Sequence, residues 1–266
     1  MEIELSLEKS VEESASAYFE KAKKAKKKLE NVRKAIEETK KKLEQLELVQ
    51  SVPKTVFPKR GKSKWFEAFH WFLSSDGFLV IAGKDAKSNE EIVKKYLEEA
   101  DIFLHAEIHG ASACIIKASG KKVPEETMRE AAAFAAVFSR AWKNGSASVD
   151  VFAVKNSQVS KKAPSGESLG TGAFMVYGKR KWFRKTPMDF FVGVKKENSG
   201  CIVVSGPGQA VKKQSLAIVK IIQGNNDAGK TAKLVIAVLK KKLGKLPITI
   251  SEVVRMLPGS NMLAVQ

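Results

Sequence analysis

The sequence has 266 residues, 47 Lys and Arg against 29 Asp and Glu, a formal charge of +18, 44% hydrophobic residues and two cysteines. That length buries a core without disulfides or structural metal, and Cys114 and Cys201, each inside an apolar run, read as small hydrophobes of a reducing, cytoplasmic compartment. No apolar run approaches the ~20 residues that span a bilayer, and the acidic start Met1-Glu2-Ile3-Glu4-Leu5 has neither half of a signal peptide, so neither membrane insertion nor export is expected.

Val11, Ala15, Tyr18, Ala22, Ala25, Leu29, Val32, Ile36, Thr39, Leu43 and Leu46 recur at spacings of four and three, the a/d pattern of a coiled coil. Residues 1–50 are therefore expected as one coiled-coil helix ~60 Å long whose seam needs a second helix. The six lysines of Lys21–Lys28 form either a solvated flank or a phosphate contact. Residues 1–50 hold 12 basic and 11 acidic side chains, leaving 35 basic and 18 acidic for residues 51–266. The excess lies on the globular part, where it attracts polyanions, RNA being the commonest in the cytoplasm. Lysine kept for solubility is the plainer reading of the same charge.

Ser51–Ser63, with two prolines and several cations, reads as a linker, and a domain is expected over 64–195. Phe69–Leu73 and Phe78–Ala82 flank Ser75-Asp76-Gly77 and predict a β-hairpin. Ser88 and Glu91 predict a capping box for a helix to about Glu99. Strands follow over Ile102–Glu107 and Ala113–Ala118, and Pro124 opens a helix to about Lys143, stopped by Gly145.

His105, Glu107 and His109 alternate in a predicted strand, which would put them on one face. They form either a metal-dependent nuclease site or a polar patch for RNA phosphates and 2′-hydroxyls, and the second fits an alternating, half-exposed strand better. No metal or cofactor is expected. The only histidines are His70, His105 and His109, and no Gly-x-Ser-x-Gly elbow occurs, so acyl-transfer chemistry is not expected.

Ser148–Val154 reads as a strand, followed by a long polar loop over Asn156–Gly172 of functional character. Trp65, Phe66, Trp71, Trp142, Trp182 and Phe183 lie among basic residues, as rings for unpaired bases or, for Trp71 and Trp142, as core. Lys179-Arg180-Lys181-Trp182-Phe183-Arg184-Lys185 is expected as an exposed basic hairpin or loop that meets phosphate.

Strands are expected over Phe174–Tyr177, Asp189–Val194, Ile202–Val204 and Leu216–Ile222, and helices over Gly229–Leu243 and Ile250–Met256. Residues 196–266 then form an α+β extension packed on the domain. Gly224 to Thr231 fits the phosphate-loop pattern G-x-x-x-x-G-K-[ST], the basis of an alternative reading as a nucleotide hydrolase. The 35 residues after Thr231 hold no apolar strand ending in Asp to serve Mg²⁺. The fold class is α+β, a mixed sheet with flanking helices preceded by a long coiled-coil helix.

The runs Trp65-Phe66-Glu67, Phe69 to Val80, Gly83-Lys84-Asp85-Ala86, Asn89-Glu90, Asp101 to Ser112, Gln158-Val159-Ser160-Lys161, Ala163 to Glu167, Gly170-Thr171-Gly172 and Phe174-Met175 resemble the RNA-binding domain of the NFACT family. The likeness covers about residues 60–195. Ser10-Val11-Glu12-Glu13 through Tyr18-Phe19, with the lysine-rich heptads, is similar to the family's middle coiled coil. The resemblance implies a binding factor of ribosome-associated quality control, not an enzyme, that engages tRNA, rRNA and the large ribosomal subunit carrying stalled peptidyl-tRNA. It implies RNA-facing roles for Lys84, Asp85, Asn89, His105, His109, Ser112, Gln158, Ser160, Lys161, Lys179, Arg180, Lys181 and Arg184. The family's amino-terminal domain has no counterpart in these residues and is expected as a partner. The family often carries Arg where His70 and Lys84 stand; Lys keeps the charge but gives up the bidentate fork.

Overall fold

The computed structural model describes residues 10–49, 64–162, 169–197, 200–244, 246–259 and 261–264. The chain divides into two compact units, one holding the first helix and the other the globular body. Helix α1 (Val11–Val49) starts on a capping box, with the Glu13 N–H donating to Ser10 Oγ at 3.1 Å and the Ser10 N–H to Glu13 Oε2 at 3.0 Å. Val11, Tyr18, Leu29, Val32 and Ile36 of the heptad seam are exposed. The long helix is as expected; the pairing that would make it a coiled coil is not observed among the described residues. The expected linker lies outside them.

In the globular body β1 (His70–Leu73) and β2 (Leu79–Ala82) form the predicted hairpin, in the register Leu73↔Leu79. Gly77, at φ +83°, takes the left-handed corner of its turn. Helix α2 (Ala86–Glu91) is capped by Asp85, not by Ser88: the Ser88 N–H donates to Asp85 Oδ1 at 2.8 Å, and Ser88 Oγ accepts from the Asp85 N–H at 2.8 Å. Ser88 is thus the third residue of the helix. The α-helix stops at Glu91 and passes into a π turn over Ile92–Tyr96, short of Glu99.

Strands β3 (Ile102–Ala106) and β4 (Cys114–Lys117) precede α3 (Glu125–Val137) and α4 (Arg140–Lys143), so the single helix expected from Pro124 breaks at Phe138 and restarts on the cap Ser139. After β5 (Ser148–Lys155), the expected long loop contains a short ladder between β6 (Val159–Ser160) and β7 (Met175–Val176). Its residues 163–168 lie outside the described part. The basic run 179–185 is largely strand β8 (Lys181–Pro187), bulged where Lys185 sits at φ +49°.

Six strands join in the order β1-β2-β4-β3-β5-β8, each pair antiparallel. Alternation sends Leu104, Ala106, Val151 and Ala153 to one face, where they pack on Ala131, Phe134 and Ala135 of α3 in the larger core. Phe103, Phe152 and Val154 go to the other face, into a smaller core with Ile81, Ile115, Trp71 and Trp182. Trp142 is buried and Phe183 packs on the larger core, so neither ring is available to a base.

Strands β9 (Phe191–Glu197) and β10 (Gly200–Gly206), helix α5 (Gly208–Gln214), β11 (Ala217–Asn226), α6 (Ala228–Leu243), α7 (Ile250–Val254) and β12 (Asn261–Ala264) complete the chain. Their sheet runs β10-β9-β11-β12, all antiparallel. Val192, Val203, Val219 and Ile221 share one continuous core with Phe72, Leu104 and Phe134. Strand β9 runs through residues 195 and 196, where the sequence reading divides domain from extension.

The phosphate-loop resemblance at 224–231 does not form that loop. Gly224, Asn225 and Asn226 belong to β11, and the Asp227 carboxylate caps α6 by accepting from the Lys230 N–H at 2.8 Å. A carboxylate thus holds the helix N-terminus where a phosphate would be cradled. The strand before it has antiparallel neighbours, unlike the parallel sheet that frames a phosphate loop.

Candidate functional site

A cleft of about 650 Å³ opens on the sheet face that carries Phe103 and Phe152, bounded by the β2–α2 turn, the β3–β4 connection and the segment 171–176. Lys84, Asp85, Asn89, His105, His109, Ser112 and Arg180 all line it. Seven of the thirteen residues expected to face RNA are therefore brought together from five stretches of chain.

Register explains the cleft's floor. His105 on β3 lies opposite Phe152 on β5, and Phe152 opposite Trp182 on β8, so the three rings form one cross-strand row with centroids 5.9 and 5.6 Å apart, the first two lining the cleft and Trp182 lying outside its lining. Trp182 and Arg184 on β8, and Arg180 just before it, share that face by two-residue alternation. The Arg180 guanidinium lies 4.5 Å from the Phe152 ring centre and 5.8 Å from that of Trp182, and the Arg184 guanidinium lies 4.0 Å from the Trp182 ring centre. Lys181 points to the helix side, where it pairs with Glu125.

The arginines are also paired. Arg180 reaches Glu107 at 3.4 Å and Arg184 reaches Asp150 at 2.6 Å. The Lys185 N–H and then Arg184 hold the Asp150 carboxyl below its ordinary range. Lys84 differs, because no carboxylate lies within 4 Å of its ammonium among the described residues. Burial, then the charge of Arg255, lower its pKa, and Asp85 opposes them. Burial also lowers the pKa of His105 against the pull of Glu107, so its imidazole is neutral near pH 7.

Several expected contacts are instead spent on building the cleft. Asp85 caps α2, and the Ser88 N–H holds its carboxyl below the usual range. Asn89 Oδ1 accepts from the Ala113 N–H at 2.9 Å, tying α2 to the β3–β4 connection. Ser112 Oγ sits 2.6 Å from the Gly83 carbonyl and 2.8 Å from that of Phe138, placing its one proton between two acceptors. Gln158 Nε2 donates to the Tyr177 and Lys179 carbonyls at 2.8 and 2.9 Å. Ser160 Oγ accepts from the Lys162 N–H at 3.0 Å.

Lys161 Nζ donates to the Gly170 and Ala173 carbonyls, both at 3.0 Å, and pairs with Glu90 at 3.2 Å, so its charge fastens the loop and is not offered to a ligand. Lys179 is exposed and has no side-chain partner among the described residues.

Strand β3 ends at Ala106, so Glu107 and His109 lie on a turn and do not extend the face of His105. Among the described residues no group of three His, Cys, Asp or Glu could hold a metal. Sequence reasoning missed Phe103 and Phe152, because an aromatic residue within an apolar strand carries no mark of which face it takes, and Phe174, which precedes β7 and reaches the cleft only through the fold of its loop.

The sheet is thus wholly antiparallel and not mixed as expected, and with one face closed by a helix and the other carrying rings and arginine forks it defines an α+β module with the side-chain composition of RNA-binding surfaces. The pattern of the NFACT protein RNA binding domain matches residues 68–178, and that of the NFACT N-terminal and middle domains matches residues 1–57. Together they account for more than half of the sequence, and the chain belongs to the NFACT family. It is 41% identical over 199 residues to the archaeal Rqc2 homolog aRqcH of Methanocaldococcus jannaschii, covering 75% of this chain and 29% of that one. It is 43% identical over 163 residues to the ribosome quality control complex subunit NEMF of Homo sapiens, covering 60% and 15%. The C-terminal part of the fibronectin/fibrinogen-binding protein from Streptococcus suis aligns with a TM-score of 0.39 and 23% identity, over 66% of this chain and 76% of that one. The chain thus spans less than a third of the length of these two curated relatives. No described helix is long and apolar enough to cross a membrane.

Proposed function

We propose that this chain is the RNA-binding part of a cytoplasmic ribosome-associated quality control factor, engaging tRNA and rRNA on large ribosomal subunits that carry stalled peptidyl-tRNA. It acts as a binding factor and leaves peptidyl transfer to the ribosome. The observation that carries this reading is the row His105–Phe152–Trp182 interleaved with Arg180 and Arg184 beside the unpaired Lys84. The names of the archaeal and human relatives support the ribosomal setting.

The arrangement suits RNA physically. The half-buried rings of Phe174 and Trp182 are the faces open to unpaired bases, at ~1–3 kcal/mol per stacked base, independent of sequence, whereas Phe103 and Phe152 are buried and form the packed floor beside them. Arginine forks take phosphates in a bidentate manner. Their present partners Glu107 and Asp150 are half-exposed, and such surface pairs contribute only ~0–1 kcal/mol. Exchanging a carboxylate for a phosphate therefore costs little, and the carboxylate meanwhile holds the guanidinium over its ring.

The test is co-sedimentation with purified large ribosomal subunits carrying peptidyl-tRNA. The wild-type chain should sediment with them and Lys84→Ala/Arg180→Ala should be depleted at least tenfold. Equal recovery of both proteins, or recovery of neither, contradicts the reading.

A further inference from the structure

We infer that α6 is a second, independent RNA-backbone contact, built from Lys230, Lys233, Lys240 and Lys241; the inference rests on the chain being an RNA binder. Residues 196–266 hold 11 basic and only 3 acidic side chains. Two of the three acids are committed to helix starts: Asp227 caps α6, and Glu252 completes the capping box of α7 with Thr249. Three carboxylates cannot balance eleven cations, so the region keeps a large local positive excess.

The helix sorts that charge. At 100° per residue the four lysines fall within an arc of about 100°, while Thr231, Ala232, Val235, Ile236 and Leu239 turn to the core. All four lysines are exposed, and none has an ion-pair partner within 4 Å among the described residues. This contrasts with Lys161, Arg180, Lys181 and Arg184, each of which has a carboxylate.

From Lys230 to Lys241 the stripe is about 16 Å long at 1.5 Å per residue, comparable to the axial rise of about five phosphates on one strand. Ammonium groups act as point charges and not as forks, so the contact reads backbone and not sequence. The face carries Leu234 and Ala237 as its apolar members and has no aromatic wedge, which favours a polyanion in water over a lipid surface.

The experiment measures RNA affinity of the full chain by fluorescence anisotropy across salt, using a fluorescent single-stranded RNA. The wild-type protein is compared with Lys230→Gln/Lys233→Gln/Lys240→Gln/Lys241→Gln, with the four corresponding Lys→Arg changes, and with Lys84→Ala/Arg180→Ala. Glutamine keeps helix propensity on an exposed face, and a thermal melt checks the fold. The Gln variant should lose about 2–3 units of logarithmic salt slope. The Arg variant should keep the slope, and the cleft variant should keep the α6 share of it. A slope unchanged by the Gln substitutions overturns the inference while leaving the cleft reading intact. Absence of RNA binding by the wild-type protein overturns the reading beneath it. Loss of binding to phosphatidylserine vesicles in the Gln variant, with no change in RNA slope, would assign the stripe to membranes instead and overturn the inference.

Discussion

The Gly172 N–H donates to Glu90 Oε2 at 3.0 Å, joining residues 82 apart in sequence at one wall of the cleft. The approach is close: a Cβ on Gly172 would stand 2.7 Å from the Ala86 carbonyl oxygen, and φ there is +77°. Glu90 also pairs with Lys94 and Lys161, so a single carboxylate latches the loop onto α2. Gly172→Ala should cost ~1–3 kcal/mol through strain and collision. It should also lower RNA affinity severalfold, because the wall carrying Phe174 moves. Thermal melts and anisotropy check both effects.

The same latch makes a pH prediction. Lys94, then the Gly172 N–H, then Lys161 depress the Glu90 pKa to about 2. A depressed carboxyl contributes stability above its unfolded pKa and loses it as pH falls through the folded value. Amide exchange at Gly172, corrected for intrinsic rate, should therefore keep its protection between pH 7 and pH 5 and lose it progressively below about pH 4.5. In Glu90→Gln the protection should be lower between pH 7 and pH 5.

His70 predicts the onset of acid destabilisation. Its ring stacks on Phe138 at 3.9 Å, and burial, then the charge of Lys84, lower its pKa from 6.5 to about 3. The unfolded chain takes a proton that the folded chain refuses, so stability should fall as pH drops below about 6.5, by up to ~1.4 kcal/mol per pH unit for one such group. His70→Phe keeps the stack and removes the proton site, and urea titrations at pH 7 and pH 5 should show a smaller difference than in the wild type.

Lys117 and Asp101 form a buried pair, with side chains 11% and 0% exposed. Asp101 also accepts from the Ala118 N–H at 2.8 Å and the Glu98 N–H at 3.0 Å. Lys117→Met leaves that carboxylate buried and short of its counter-charge, which should cost ~3–5 kcal/mol in denaturant unfolding. Removing the exposed pair Arg184–Asp150 should cost less than ~1 kcal/mol.

The elements were largely legible because their markers are local. The hairpin rests on Asp76-Gly77, and α6 on one apolar stripe. The sequence points to a helix start at Ser88, because Ser88 and Glu91 spell a capping box, whereas the Asp85 carboxylate three residues earlier captures the Ser88 N–H. The run 179–185 reads in sequence as an exposed hairpin or loop because its charge density hides a strand whose faces differ: Arg180 and Arg184 lie over rings, and Lys181 reaches α3. Gln158 and Lys161 carry the polar chemistry of ligand contacts, and only tertiary geometry shows them bound to backbone carbonyls. The row of His105, Phe152 and Trp182 depends on the register of three strands, which no window of sequence contains.

Photo-crosslinking of the full chain to 4-thiouridine-substituted RNA, with the linked peptides identified by mass spectrometry, tests the cleft most directly. Adducts should concentrate on the peptides bearing Lys84, Phe174, Arg180 and Trp182 and should diminish in Arg180→Ala. Adducts confined to α1, with none on those four peptides, would contradict the account.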